Sequence, residues 1–321
     1  MKKLFVGPKQ ATIEYSDFFD GSITLFGENN SKNISYNETL SFEFWNPDNN
    51  EFEISIYNKE ISKLQGLTQI MAHNPLLVSK CKLLSNVQQI CLNEIPLLEK
   101  LDNKIEMRKY FKNLVPSLDY VYLTGADINS SILKNIAKVL IIQSPIGSGG
   151  AKTYFCNKDT FKTIQPLLKP FETYIISKYQ NQNIPLNIHC IIGNKNIEIL
   201  PPSLQLLEIN NKIEYIGSEY DISGTLILPN LKNQLIEYSN LICSKLQKDG
   251  YRGVLGLDYI YVEEKLFFIE INPRFQGSTR QVDKLLKDSN LPSIFKYNFD
   301  AFYKDKLIST KKMKNSIFIK R

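Results

Sequence analysis

The stretch from Gly250 to Arg280, GYRGVLGLDYIYVEEKLFFIEINPRFQGSTR, constrains this chain more than any other. Two apolar runs rich in β-branched and aromatic residues flank Glu263, Glu264 and Lys265, which is the pattern of a β-hairpin. With the turn centred on Glu264, Asp258 lies across from Glu270, and strand alternation puts Asn272 on the face of Glu270. Two carboxylates facing each other repel unless a cation sits between them. A hard divalent cation with oxygen ligands meets that need, and Mg²⁺ is the usual one where phosphates are also bound. Arg274 follows, and Gln276, Gly277, Ser278 and Thr279 then open a helical pattern. The stretch reads as a metal and anion site on a rigid scaffold.

A chain of 321 residues can build two or three subdomains around substantial cores. The net charge of +6 is spread along the sequence rather than clustered, so it describes a solvated surface and not a nucleic-acid footprint. Five cysteines without a CxxC pair, beside only two histidines, argue against a zinc site and for reduced thiols. The first ten residues hold too short an apolar run for a signal peptide, and no 18-residue apolar run occurs. The expectation is a cytoplasmic protein that engages neither nucleic acid nor membrane.

Along the first hundred residues, Lys3–Val6 and Ile23–Phe26 read as strands. The alternation of Phe42, Phe44, Phe52, Ile54 and Ile56 predicts a hairpin over Ser41–Tyr57. Ile61, Leu64, Leu67 and Met71 recur at helical spacing, and Pro96 limits any helix in Leu83–Leu98. No catalytic constellation shows here, and His73 beside Pro75 reads as a loop or capping histidine. Asn103 and Lys104 then open a helix that Pro116 stops, and Val139–Gln143 is a strand leading to Gly147, Ser148, Gly149 and Gly150. Small residues let backbone N–H groups approach phosphate, although a GSGG turn taken alone is more often a plain hairpin loop. The P-loop and G-x-G-x-x-G spacings are absent. Strands follow at Tyr174–Tyr179, Leu186–Ile192 and Ile197–Leu200, then a long helix from Leu231 closed by Gly250.

The ordered set resembles the ATP-grasp superfamily. It runs from Asn103–Lys104 through the GSGG loop, the Ser177–Lys178–Tyr179 strand and Ser203–Gln205, to Gly-x-Asp at Asp258 and Glu-x-Asn-x-Arg from Glu270. The resemblance spans Asn103 to Arg280 and implies an α+β fold in which two lobes sandwich ATP, preceded by an N-terminal pre-ATP-grasp α/β domain. The expected divisions are 1–100, then 101–175 for the small lobe with its glycine loop, then 176–321 for the lobe carrying hinge strand and hairpin. The implied chemistry passes the γ-phosphate of ATP to a carboxylate, and an amine then displaces phosphate from the acylphosphate. Asp258, Glu270 and Asn272 are implied as ligands of two Mg²⁺ ions, with Mn²⁺ an alternative. Lys104, Gln143 and the Gly147–Gly150 loop are implied at the phosphates. Ser177, Lys178 and Tyr179 are implied at adenine, and Asn187 and Gln205 beside the nucleotide. Arg274 and Glu270 are the implied catalytic residues. Arg274, Gly277 and Ser278 are the implied substrate contacts, with the Thr279 N–H beside them.

Several positions depart from the family pattern. Gln143 stands where the family has a second phosphate lysine, for which Lys152 is the candidate substitute. Ser177 replaces the acid that opens the hinge. Gly256 stands where D-alanine–D-alanine ligases carry an arginine, and Ser278 where biotin carboxylase has an acid, although the Glu270–Gln276 run resembles that enzyme. From the residues alone, Arg274 can also be an ion-pair partner of Glu270, His189 a buried structural histidine, and Ser203 and Gln205 strand-end groups. The implied function is an ATP-dependent carboxylate–amine ligase acting on an amino acid, peptide or related small molecule. The alternatives are a carboxylase-like enzyme that phosphorylates bicarbonate and a non-catalytic ATP-binding module, which Gln143 keeps open.

Overall fold

The computed structural model describes residues 1–26, 50–129, 135–147, 150, 152–210, 212–222 and 225–313. Three sheets carry the chain. The first is parallel, ordered β2-β1-β3-β4, from β1 (Lys2–Lys9), β2 (Gly21–Phe26), β3 (Thr68–Ala72) and β4 (Val87–Ile90). Helices α1 (Asn50–Ile61) and α2 (Pro75–Val78) cover one face, over Leu4 and Val6, while Phe5 packs on the other face against Phe19 and Phe295, which explains why Leu4, Phe5 and Val6 are buried in succession instead of alternating.

The two short strands are present, and they pair in parallel. The hairpin expected over Ser41–Tyr57 is not formed where it can be seen: Phe52–Tyr57 lie in α1, while 41–49 fall outside the described residues. Buried Glu53, Ile56, Tyr57, Glu60 and Ile61 give the helical spacing, and the Tyr57 hydroxyl donates to Glu53 at 2.6 Å. The Ile61–Met71 spacing is not a helix either. α1 ends at Ile61, Gly66 turns the chain at φ +73°, and Met71 belongs to β3. Pro96 does not limit a helix but stands in the first turn of α3 (Ile95–Asp102), where its missing N–H costs nothing.

α4 (Lys104–Tyr110) follows at once, capped by Asn103, whose Oδ1 accepts from the backbone N–H groups of Ile105 and Glu106 at 3.0 and 3.2 Å. The second sheet is antiparallel, ordered β5-β8-β6-β7, from β5 (Tyr120–Thr124), β6 (Leu140–Gln143), β7 (Thr153–Cys156) and β8 (Thr173–Lys178). The short helix α5 (Phe161–Ile164) and the single turn after it pack Phe161, Ile164 and Leu168 onto this sheet.

The third sheet is antiparallel, ordered β11-β10-β9-β12-β13. It comprises β9 (Ile184–Ile192), β10 (Ile197–Ile209), β11 (Ile213–Glu219), β12 (Gly253–Val262) and β13 (Lys265–Asn272). The strand read at Ile197–Leu200 is only the start of β10, which continues past Pro201 and Pro202 through a bulge. Helix α6 (Leu231–Lys248) buries Leu231, Leu235, Ile242 and Leu246 against one face, onto Leu186, Ile188, Leu255, Leu257 and Tyr259. Gly250 leaves that helix at φ +89°, a conformation that suits glycine. α7 (Thr279–Asp288) and α8 (Ile294–Tyr303) join Phe275 and Val254 in a core that also receives Phe5 and Met71 of the parallel sheet.

The β12–β13 hairpin reaches its register by a route different from a turn centred on Glu264. Lys265 is already in β13, and the turn is Glu263–Glu264 alone, with φ of 50° and 61°. That turn by itself would set Asp258 opposite Ile269. An extra residue on β13, Ile269, makes a bulge and brings Asp258 opposite Glu270. The bulge also switches faces. Leu266 and Phe268 point into the α6 core, as does Ile271, so Glu270 and Asn272 turn to the opposite side.

Candidate active site

One cavity of about 630 Å³ opens between the second and third sheets. Asp258, Glu270 and Asn272 line it, as do Asn187 and Gln205, Lys104 and Gln143, Gly147 and Gly150, Ser177 to Tyr179, Arg274, Gly277 and Ser278. Ser148 and Gly149 lie outside the described residues. Candidate residues from widely separated stretches therefore meet in one place. Lys152, the candidate substitute for the lysine missing at Gln143, stands on the loop before β7 and is not among the lining residues.

Asp258 is the most constrained group there. Its Oδ1 accepts from Asn187 Nδ2 at 2.6 Å and from Gln205 Nε2 at 3.1 Å, and its Oδ2 accepts from Asn272 Nδ2 at 2.9 Å. Burial, then the charge of Glu270, push its carboxyl up to about 7, against the pull of the amide donors. Three amides thus hold one acid in a fixed orientation facing another. Asn187 and Gln205 face the cavity, yet their amide N–H groups are engaged with Asp258.

Lys104 ties the acid pair to the glycine loop. Its Nζ donates to the Gly147 carbonyl at 2.7 Å and stands 3.3 Å from Glu270 Oε2, while its backbone N–H bonds the Pro145 carbonyl at 2.8 Å. Gly150, at φ +85°, packs so closely on β11 that an added Cβ would meet the Ile213 carbonyl oxygen at 1.9 Å. Arg274 does not pair with Glu270. Its Nη2 donates to Asn272 Oδ1 at 2.9 Å and its Nη1 to the Phe275 carbonyl at 3.2 Å. At the helix start, the Thr279 N–H is already bonded to the Gln276 carbonyl at 3.1 Å, which removes it as a donor to a substrate carboxylate. Tyr179 follows β8 with its N–H on the Val139 carbonyl and its ring edge-on to Phe155 at 5.0 Å.

Sequence reasoning misses the role of two residues. Gln276 is 8% exposed and accepts from Asn187 Nδ2 at 2.9 Å. It occupies the space above Gly256, where a Cβ would land 1.4 Å from its Nε2. That contact explains why the position carries no side chain, let alone an arginine. Arg108 is 6% exposed and lines the cavity one helical turn after Lys104. The i, i+4 spacing from Lys104 is the available signal. Burial pulls its guanidinium down from the ordinary value, with Tyr120 and Glu270 opposing. His189 is fully buried beside Gln276, and burial lowers its imidazole to about 4. His73 joins the parallel sheet to the site: its N–H bonds the Val6 carbonyl at 2.7 Å and its carbonyl accepts from the Phe275 N–H at 3.1 Å. Apolar Leu118, Ile141, Ile209 and Ile213 complete the walls, which polar motifs alone do not reveal.

A family model described as an ATP-grasp domain matches residues 101–278, more than half of the chain. The chain belongs to the ATP-grasp family. Its fold is the α+β fold of that family, with an α/β region of parallel sheet ahead of it. Solved structures share this fold at low identity. The biotin carboxylase domain of Hydrogenobacter thermophilus 2-oxoglutarate carboxylase, in complex with MgADP, ADP and bicarbonate, superposes with a TM-score of 0.65 and 15% identity over 98% of this chain and 72% of that one. N5-carboxyaminoimidazole synthetase from Staphylococcus aureus, complexed with ADP, gives 0.58 and 12% over 96% and 79%. L-amino acid ligase from Bacillus licheniformis gives 0.59 and 12% over 99% and 77%. A search of curated protein sequences finds no match. Among the described residues of this ATP-grasp chain, no helix is long and apolar enough to cross a membrane.

Proposed function

We propose that this ATP-grasp protein is an ATP-dependent carboxylate–amine ligase acting on an amino acid, peptide or related small molecule. One observation carries the reading: Asp258 and Glu270 face each other beside Lys104, Arg274 and the glycine loop, around one cavity. Among the described lining residues, Lys104, Arg108, Lys178 and Arg274 outnumber the two carboxylates, so the cavity suits a polyanion. The donor set fits Mg²⁺ or Mn²⁺. It offers two carboxylates and a carboxamide, and no cluster of three His, Cys, Asp or Glu gathers among the described residues. Such a set leaves coordination positions for phosphate oxygens.

In this reading Asp258, Glu270 and Asn272 hold two ions. When bound, the metal neutralises charge on the transferred phosphoryl group. Lys104, Gln143 and the Gly147–Gly150 loop face the phosphates, and Ser177, Lys178 and Tyr179 receive adenine. Asn187 and Gln205 keep Asp258 oriented. A substrate carboxylate oxygen attacks the γ-phosphorus and ADP leaves. The amine then attacks the acyl carbon, phosphate leaves, and the nitrogen loses a proton. Arg274 holds the oxyanion between these steps, because a planar guanidinium fixed by Asn272 presents its N–H groups in one direction. Gly277 and Ser278 lie where the substrate carboxylate would enter. The proposed divisions are those read from the sequence, 1–100, 101–175 and 176–321, with the second boundary moved past Lys178 because β8 pairs with β5 and β6 of the second sheet, and the proposed setting is cytoplasmic.

The fold likeness to an L-amino acid ligase is compatible with this reading. A second reading, phosphorylation of bicarbonate, draws on the Glu270–Gln276 run and is separated by experiment. Purified protein with Mg²⁺·ATP is screened against amino acids and short peptides for ADP and phosphate release. Amine-dependent release supports the ligase. Release stimulated by bicarbonate alone supports the second reading, and ATP binding with no release under any condition leaves a non-catalytic module. Glu270→Ala is expected to abolish turnover while the circular dichroism spectrum stays native. Retained turnover would overturn the metal assignment.

A further inference from the structure

Arg108 is a buried cation whose position the proposed chemistry has not used. It projects from α4 one turn after Lys104, on the same helical face, and both residues line the cavity. Its side chain is 6% exposed, and its Nε and Nη1 atoms are buried without a hydrogen-bond partner. The guanidinium carbon stands 4.9 Å from the Tyr120 ring centre. An aromatic face attracts a cation but accepts no directed N–H bonds of the strength a carboxylate or phosphate provides.

A guanidinium taken out of water with N–H groups unsatisfied opposes folding unless an anion joins it. No carboxylate among the described residues forms an ion pair with it. Glu270 is near enough to act on its charge, yet Lys104 is the cation set 3.3 Å from that acid. Across the cavity, Gln143 presents a neutral amide on the strand that leads to the glycine loop. The phosphate end of the cavity thus has one lysine from the helix, none from the strand, and an unsatisfied arginine beside the lysine.

We propose that Arg108 is a phosphate-binding residue of the nucleotide site, donating its unsatisfied N–H groups to nucleotide phosphate oxygens and supplying the positive charge that Gln143 lacks. The proposal rests on the ATP reading above. Arg108 also borders a second cavity of about 640 Å³ formed by residues 111–120 and Phe268, so an anion held there is the competing outcome. The nucleotide is favoured because Lys104, on the same face of the same helix, reaches Gly147 of the glycine loop.

The test is calorimetric titration of the full-length protein with ADP, ATP and adenosine in the presence of Mg²⁺. Arg108→Met keeps the length of the side chain and removes its charge and donors. It is expected to weaken ADP and ATP about ten- to hundredfold, the loss of a hydrogen bond to a charged group, and to leave adenosine unchanged. Adding Gln143→Lys to Arg108→Met is expected to recover at least part of that loss, which a merely structural arginine would not allow. Melting curves keep the comparison to folded protein, and Arg108→Lys serves if the methionine variant fails to fold. ADP and ATP binding unchanged in Arg108→Met overturns the proposal, as does an equal loss for adenosine. A wild-type protein that binds adenosine nucleotides nowhere overturns the ATP reading itself. Wild-type binding beside an indifferent Arg108 variant overturns only the role of Arg108.

Discussion

A methyl group at Gly256 would land 1.4 Å from the Gln276 amide, and Gln276 in turn accepts from the asparagine that holds Asp258. Gly256→Ala is therefore expected to drive the Gln276 side chain out of its buried place. The cost is about 1–3 kcal/mol of stability, in the range of overpacked cores, with turnover falling as Asn187 loses its second partner. Chemical denaturation and ADP release measure the two effects; an unchanged midpoint would mean that Gln276 moves freely. The histidines make a second prediction at this scale. Burial lowers His189 to about 4 and His73 to about 3, so the folded state holds fewer protons than the unfolded state between those values and the usual 6.5. Their contribution is present above pH 6.5 and is lost as pH falls, by about 1.4 kcal/mol per unit for each. Asp258, raised to about 7, and Asp283, raised to about 6, both chiefly by burial, act in the opposite sense from those values down to the ordinary carboxylate value and offset the two histidines. The four contributions nearly cancel, so net stability is expected to change little from pH 6 to pH 4.5, while proton NMR should show both imidazoles neutral at pH 5.5. At this scale the sequence is most informative. Asp258, Glu270 and Asn272 are chemically odd on a strand, and oddness survives without coordinates. The roles of Arg108 and Gln276 escape it because nothing local marks them, only their neighbours across the fold.

The hairpin shows what a spacing argument can and cannot supply at the scale of an element. A turn centred on Glu264 predicts the facing of Asp258 and Glu270, whereas the real device is a two-residue turn plus a bulge at Ile269. Strand periodicity has no symbol for one extra residue, so the answer and its cause come apart. The turn also holds a testable strain. Glu263 and Glu264 are exposed, and both adopt φ near +55°, which costs a side-chain-bearing residue about 1–2 kcal/mol relative to glycine. Replacing them by Asn-Gly is expected to raise stability by about 1 kcal/mol without altering turnover, read from denaturant midpoints. The glycine loop behaves oppositely. Gly150→Ala would combine a left-handed backbone with a 1.9 Å clash against the Ile213 carbonyl, and a carbonyl cannot swing aside as a side chain can. The loop should be forced off β11, weakening nucleotide binding while the sheet cores remain folded; calorimetry against circular dichroism separates the two. The N-terminal elements are the least legible. Phe52 and Ile56 fit both a strand of period two and the helix α1, and Phe42 and Phe44 before them tilt the reading towards alternation.

Across the whole molecule, the cavity is walled by two sheets, and Tyr154 of one makes an isolated bridge to Lys212 beside β11 of the other. Each sheet has its own core, around Ile142 and Ile176 in one and around Ile188 and Leu257 in the other. A ligand that touches Gln143 and Lys178 on one side and Asp258 and Glu270 on the other would add contacts where the protein has few of its own. Binding to the folded state alone stabilises it by mass action, about 2.7 kcal/mol when nucleotide is present at a hundred times its dissociation constant. Mg²⁺·ADP is therefore expected to raise the melting temperature by several degrees, with a smaller shift when EDTA removes the metal. In Asp258→Asn the shift with Mg²⁺ should shrink to the EDTA value, since one metal carboxylate is gone while Lys104 and the hinge strand remain. A shift that is equal with and without Mg²⁺ in the wild type would leave nucleotide binding intact but remove the metal from the acid pair, and the facing of Asp258 and Glu270 would then need Lys104 alone as its explanation.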